Sequence, residues 1–188
     1  MKLRSCGMLL AFGLAVLARA GAAHSADDQA TAQTEEVLLK LHHSNQMEVA
    51  AGKLAQQKGQ SKDVKSFGKM LVSDHSAADK KVTALAREEK IKLPTSPPMS
   101  DDKMDKMKAA KGADFDRMFA ADMLEDHKAA IDEVKAARDN AKDEKLKALL
   151  VATLPVLEKH RDTAERLIDK LGPSASASGS DVTPTDTK

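Results

Sequence analysis

A chain of 188 residues, with 30 Lys and Arg against 29 Asp and Glu, four Phe and neither Trp nor Tyr, has room for one core and little that could stack on a nucleobase. Near-neutral charge supplies no basic face for phosphates, so nucleic acid is excluded as a partner. Cys6 is the only cysteine and precedes the first apolar run, which excludes a lipid anchor after that run, disulfides, thiolate ligands and a Cys nucleophile from the remainder.

Lys2 and Arg4 form a positive start, Met8 to Leu17 ("MLLAFGLAVL") is an apolar run too short to span a bilayer, and Ala18-Arg19-Ala20 offers small residues at cleavage-site spacing. A secretory signal peptide over residues 1–23 is predicted, cleaved between 20 and 26. Arg19 interrupts the run, which disfavours the alternative of a signal anchor. The expected product is an exported, periplasmic protein without a transmembrane segment after cleavage. Loss of Lys2, Arg4 and Arg19 leaves 27 basic against 29 acidic residues, a net charge of −2. A flexible segment over 24–33 is expected to lead into a single domain over 34–171, and the Ser/Thr/Gly/Pro-rich residues 172–188 to form a disordered tail.

Richness in Ala, Leu, Lys, Glu and Asp favours an all-α domain, and apolar residues at helical spacing divide it into four long segments. The first runs from about Thr34 to Lys58 and buries Val37, Leu38, Leu41, Ala51, Leu54 and Ala55. Gly59 ends it and Ser61 is a ready N-cap for the second, which buries Val64, Phe67, Leu71, Ala78, Val82 and Leu85 and stops near Lys90, before the proline-rich "KLPTSPPMS". A crossover follows in which "DDKMDKMKAA" is a candidate short helix. The third segment, about Ala113 to Asp139, turns Phe115, Phe119, Met123, Ala130, Ile131 and Val134 inward. A tight "NAKD" turn leads to the fourth, Glu144 to Leu171, closed by Gly172 and Pro173 and carrying an internal Pro155 that should kink it.

Short, long, short is the order of the connections. Two short turns make two antiparallel hairpins, and the long crossover returns the chain along the body, so the second and third long helices run parallel. The expected architecture is therefore a ferritin-like four-helix bundle with a long crossover between helices two and three; a plain up-down bundle is the structural alternative.

Asp-His-x-Ala-Ala occurs twice, at Asp74-His75 and Asp126-His127. His75, His127 and His160 each fall on the buried stripe of their segment, and Asn45 and Glu48 fall on that of the first. Counted from the Gly59 end, His75 and His127 lie about fourteen residues in and Glu48 and His160 about eleven, a difference of about 4.5 Å in helix rise. Glu48, His75, His127 and His160 are thus candidate ligands for one divalent transition metal ion, imidazole and carboxylate being suitable donors. The alternative is a metal-free hydrogen-bond network that fixes helix register. Neighbours on a helix point about 100° apart, so Asp74 and Asp126 are cast, with Asn45, as flanking partners rather than ligands. Asp74 is expected to pair with His127 and Asp126 with His75.

His42 and His43 are adjacent, and a half-exposed surface pair is expected there. Met99, Met104 and Met107 are either copper(I) donors or gap-fillers. No nucleophile motif, phosphate-binding Gly loop or zinc-protease motif is present, so no catalytic residue is assigned.

The strings "MEVAAGKLAQQKGQSKDVKSFGKMLVSDHSAAD", "GADFDRMFAADMLEDHKAAIDEV" and "LKALLVATLPVLEKH" closely resemble the bacterial domain of unknown function 4142, a ferritin-like family of exported proteins. The resemblance covers about Thr34 to Leu171 and implies an exported four-helix bundle, outer-membrane or periplasmic, without an established activity. The positions that match the family are Glu48, Gly52, Ser61, Phe67, Asp74, His75, Phe115, Asp116, Asp126, His127, Pro155 and His160. Di-iron bundles carry Glu-x-x-His on two helices, whereas Val72, Leu124 and Leu157 stand three residues before the histidines here. The expected function is a non-enzymatic bundle in metal handling or envelope stress; a divergent metal-dependent oxidase and an interaction module are the alternatives.

Overall fold

A computed structural model describes residues 20–95 and 102–172, with side chains from residue 28 onward. Residues 1–19 of the expected signal peptide, Met99 and the tail from Pro173 lie outside the described residues. Among those described, the chain is all-helical, and no helix is long and apolar enough to cross a membrane. The helices are α1 (Ala20–Lys58), α2 (Lys62–Glu88), α3 (Asp102–Ala109), α4 (Gly112–Asn140) and α5 (Glu144–Leu171).

Local chemistry sets most of these boundaries. The Ser61 hydroxyl accepts from the Val64 amide at 3.1 Å and the Asp143 carboxylate from the Leu146 amide at 2.7 Å, each satisfying an amide that the first turn leaves free. α1 begins at Ala20 rather than Thr34, because the Ala-rich stretch between them contains no proline. α2 ends before the prolines: Ile91 N–H donates to Ala86 O at 2.7 Å and Lys90 N–H to Arg87 O at 3.2 Å, with Lys90 at φ 58°. This is a Schellman stop built on a lysine instead of a glycine. α5 continues through Pro155.

α1 packs along α2 and α4 along α5; α2 also meets α5, α1 meets α4, and α3 lies on α4. The first pair is unusually close. A Cβ on Gly52 would come within 2.7 Å of Gly68 O, and a Cβ on Gly68 within 2.6 Å of Gly52 O, so neither position has room for a side chain. At one end the buried Asp116 carboxylate accepts from Gln60 N–H at 2.8 Å and Ser61 N–H at 2.7 Å, which sets the start of α4 beside the start of α2. Lys170 reaches Asp63 at that same end, and Lys145 reaches Glu88 and Glu89 at the other. α5 therefore runs opposite to α2.

The core has two parts. One, toward the Asp116 end, holds Phe67, Phe115, Phe119, Leu71, Met107 and Met123. The other holds Leu38, Val82, Ile131, Leu146, Leu150 and Leu154. Three histidines separate them along α2, α4 and α5.

Gly68→Ala should destabilise the protein. Helix propensity alone would favour alanine by roughly 1 kcal/mol, but forcing α1 and α2 apart costs about 1–3 kcal/mol. A fall in the urea midpoint is expected; a midpoint at or above the wild-type value would show that the helix pair can open without cost.

Candidate metal centre

His75, His127 and His160 come from α2, α4 and α5 and are 4%, 1% and 0% exposed. Each follows an apolar residue of its helix stripe, Leu71, Met123 or Leu157, by three or four positions, so each is turned inward for the same reason as the core. The ring centroids lie 5.7 Å apart for His75 and His127, and 5.1 Å apart for His160 and either of them. One ring nitrogen from each can be chosen such that all three lie within 4.8 Å of one another.

The hydrogen bonds assign the protons. His75 Nδ1–H donates to Asn45 Oδ1 at 2.9 Å, His127 Nδ1–H to the Met123 carbonyl at 2.8 Å, and His160 Nε2–H to Asp74 Oδ2 at 3.0 Å. A carbonyl or carboxylate oxygen only accepts, so the opposite nitrogen of each neutral ring is a bare lone pair. Those nitrogens are His75 Nε2, His127 Nε2 and His160 Nδ1. His127 Nε2 and His160 Nδ1 face each other at 3.2 Å, acceptor against acceptor. His75 Nε2 is buried without a hydrogen-bond partner.

A proton is a poor remedy for this opposition. Burial, followed by the neighbouring His160 and His127 rings, pushes His75 down to about 3. Burial and His160 push His127 down to about 4, against the bond to Met123. Burial also lowers His160, although Asp74 pulls the other way. Burial raises Asp74, but the bonds from His160 and Lys159 outweigh it and hold the carboxyl below its ordinary range. At neutral pH the centre is three neutral imidazoles, one of them anchored to a carboxylate.

Glu48 lies at the edge of this group. Its Oε1 is 4.0 Å from His127 Nδ1, the nitrogen already bonded to Met123, and its buried Oε2 has no hydrogen-bond partner. Burial, reinforced by Asp126, pushes Glu48 up to about 8. With His127 neutral as well, the approach is not an ion pair.

The expected reciprocal pairing of the aspartates is overturned. Asp74 bonds His160 and Lys159, and Asp126 bonds Lys103 at 2.7 Å. The cause is helix phase: each Asp sits about 100° from its His, so Asp74 turns toward α5 and Asp126 toward α3. Lys103 is a partner that no spacing rule reveals, because it depends on where α3 settles; the Met123 carbonyl, by contrast, is a local acceptor one turn before His127. His42 is also corrected. It is only 8% exposed and bonds Asp79 at 2.7 Å and the Pro94 carbonyl at 3.0 Å, while His43 is exposed. Gln46, one turn on in α1, also lies 2.7 Å from His42 Nε2, but Asp79 and the Pro94 carbonyl lie outside α1, beyond the reach of the periodicity.

Glu48 and the histidines give stability opposite dependences on pH. A folded pKa of about 8 against an ordinary 4.5 means that the contribution of Glu48 is complete below pH 4.5 and is lost as pH rises through 8. The histidines, held at about 3 and 4 against 6.5, contribute fully above pH 6.5 and lose that contribution as pH falls through 4. Glu48→Gln cancels only the first effect. Its Tm should match that of the wild type near pH 4.5 and exceed it by several degrees near about pH 9; superimposable Tm curves would remove Glu48 from the buried centre.

No curated protein and no solved structure matches the chain. Residues 19–167 match the family described as Domain of unknown function (DUF4142), and the chain belongs to that family.

Proposed function

We propose that this protein is an exported, ferritin-like four-helix bundle that binds one divalent transition metal ion through His75, His127 and His160. One observation carries the reading: the outer N–H of each ring is tied to Asn45, Met123 or Asp74, one ring nitrogen from each of the three buried rings lies within 4.8 Å of the others, and two of the bare lone pairs oppose each other at 3.2 Å. A cation turns that repulsion into coordination. Imidazole suits zinc, copper, iron and nickel, and three histidines leave a further position open. Metal–nitrogen bonds of about 2.0–2.1 Å require the nitrogens to draw in somewhat from their present spread, a motion within the reach of small χ rotations. Glu48 supplies a carboxyl group beside the site, and Asn45 and Asp74 hold ring orientation, as outer partners do at metal centres.

The bundle part of the reading is supported by the shared end of α2 and α4 at Asp116 and by the short, long, short order of connections. Export is supported by the leader-like pattern of the first twenty or so residues. Binding and handling of the ion is favoured over turnover, since Val72, Leu124 and Leu157 occupy the places where a di-iron bundle carries glutamate.

Zinc or cobalt(II) should raise the Tm of chelator-treated protein by on the order of 5–10 °C at about a hundred times Kd, with one ion per chain by elemental analysis. His75→Ala should abolish both effects. Asp74→Asn, which keeps the site's shape but loses the anchoring charge, should weaken binding by about 10–100-fold. A wild-type protein that neither retains nor is stabilised by zinc, cobalt, iron, copper or manganese would leave the histidines as a register-fixing network only.

A further inference from the structure

The methionines are distributed in a way that packing does not require. Every methionine among the described residues, namely Met47, Met70, Met104, Met107, Met118 and Met123, belongs to the core half toward the Asp116 end. The other half is built from Leu, Val, Ile and Ala alone. Methionine used as a general gap-filler would be expected on both sides of the histidines.

Four of these side chains share one cavity. Met47 from α1, Met104 and Met107 from α3 and Met123 from α4 line one cavity of about 350 Å³, together with Glu48 and His127. α3 owes its place to this arrangement, since its buried residues are Met104 and Met107 and no others. They stand three apart and so share one face. Leucine there would fill similar space with fewer rotamers to fix, and the opposite half of the core uses it freely. Lys103 and Asp126, which also line the cavity, bond each other at 2.7 Å, while Met104 and Met107 are buried.

From this juxtaposition we infer that the cavity is a binding site for copper(I), held by the thioether sulfurs of Met104, Met107 and Met123 beside the imidazoles; the inference rests on the metal-binding reading of the three histidines and adds a second, softer donor set next to them. Thioethers are neutral, soft and polarizable, which selects copper(I) over zinc, iron(II) or manganese. A monovalent ion also costs less to desolvate than a divalent one in a cavity whose sulfur donors carry no charge. The bond formed is metal to sulfur, and no electron or proton is transferred.

The test compares full-length wild type with the double variant Met104→Leu/Met107→Leu, a volume-conserving change that should leave the fold intact. Copper(I) is titrated anaerobically against a chromophoric chelator, and cobalt(II) is titrated separately as the reporter for the three imidazoles. Wild type is expected to take up copper(I) with sulfur neighbours visible by X-ray absorption. The double variant should lose at least about tenfold in copper(I) affinity while its cobalt(II) spectrum and affinity stay unchanged. Met123→Leu provides the same comparison if the double variant does not fold. Unchanged copper(I) affinity in a folded methionine variant, or copper(I) bound to nitrogen alone, overturns the inference. Cobalt(II) binding without any copper(I) binding in wild type overturns it too and leaves the imidazole site standing; failure of both ions removes both.

Discussion

A neutral imidazole carries one N–H and one lone pair, and a buried ring must find a partner for each. Three rings in this protein direct the N–H outward, to an amide, a backbone carbonyl and a carboxylate on three different helices. The lone pairs have nowhere to go but inward. Two features of the middle of the molecule follow from that constraint: the opposed lone pairs of His127 and His160 and the orphaned His75 Nε2. Asp74 matters beyond its bond length, since an anionic acceptor fixes the His160 tautomer more firmly than a neutral one.

The helices around this point are fastened by unlike means. α1 and α2 are held by closeness, backbone against backbone at Gly52 and Gly68. α4 and α5 are held by apolar side chains above and below the histidines. Asp116 then joins one pair to the other through two backbone amides at the α1–α2 turn. A carboxylate with two amide donors is a strong, directional bond, and here it fixes which ends of the two pairs lie together.

Much of this can be read from the sequence, and the boundary has a physical origin. A period of 3.6 residues fixes which side of its own helix a residue occupies, and counting from capping residues fixes depth; those two coordinates alone place His75, His127 and His160. The expected bounds of the second, third and fourth long segments agree with those of α2, α4 and α5 to within about two residues for the same reason. Neither coordinate gives the rotation of one helix against its neighbour, so the partners of Asp74 and Asp126 differ from the expected ones. Nor does either say where a short amphipathic piece such as α3 will rest, which hid Lys103. His42 illustrates the same limit: its acceptors come from α2 and from the Pro94 carbonyl, and only the folded chain brings them near. The early start of α1 reflects the opposite situation, in which weak propensity over many alanines outweighs the lack of an apolar stripe.

The two helix pairs differ in how they reach the centre. α1 and α2 contribute His75 and its anchor Asn45, whereas α4 and α5 contribute His127 and His160. Each pair is formed largely by contacts close in sequence, and such contacts assemble early and fast. The three-ring cluster belongs to neither pair. It comes into existence only when the two hairpins dock, late and over a long loop, so an ion seated there would act as a cross-brace on the final step of folding and would leave the separate hairpins no more stable than before.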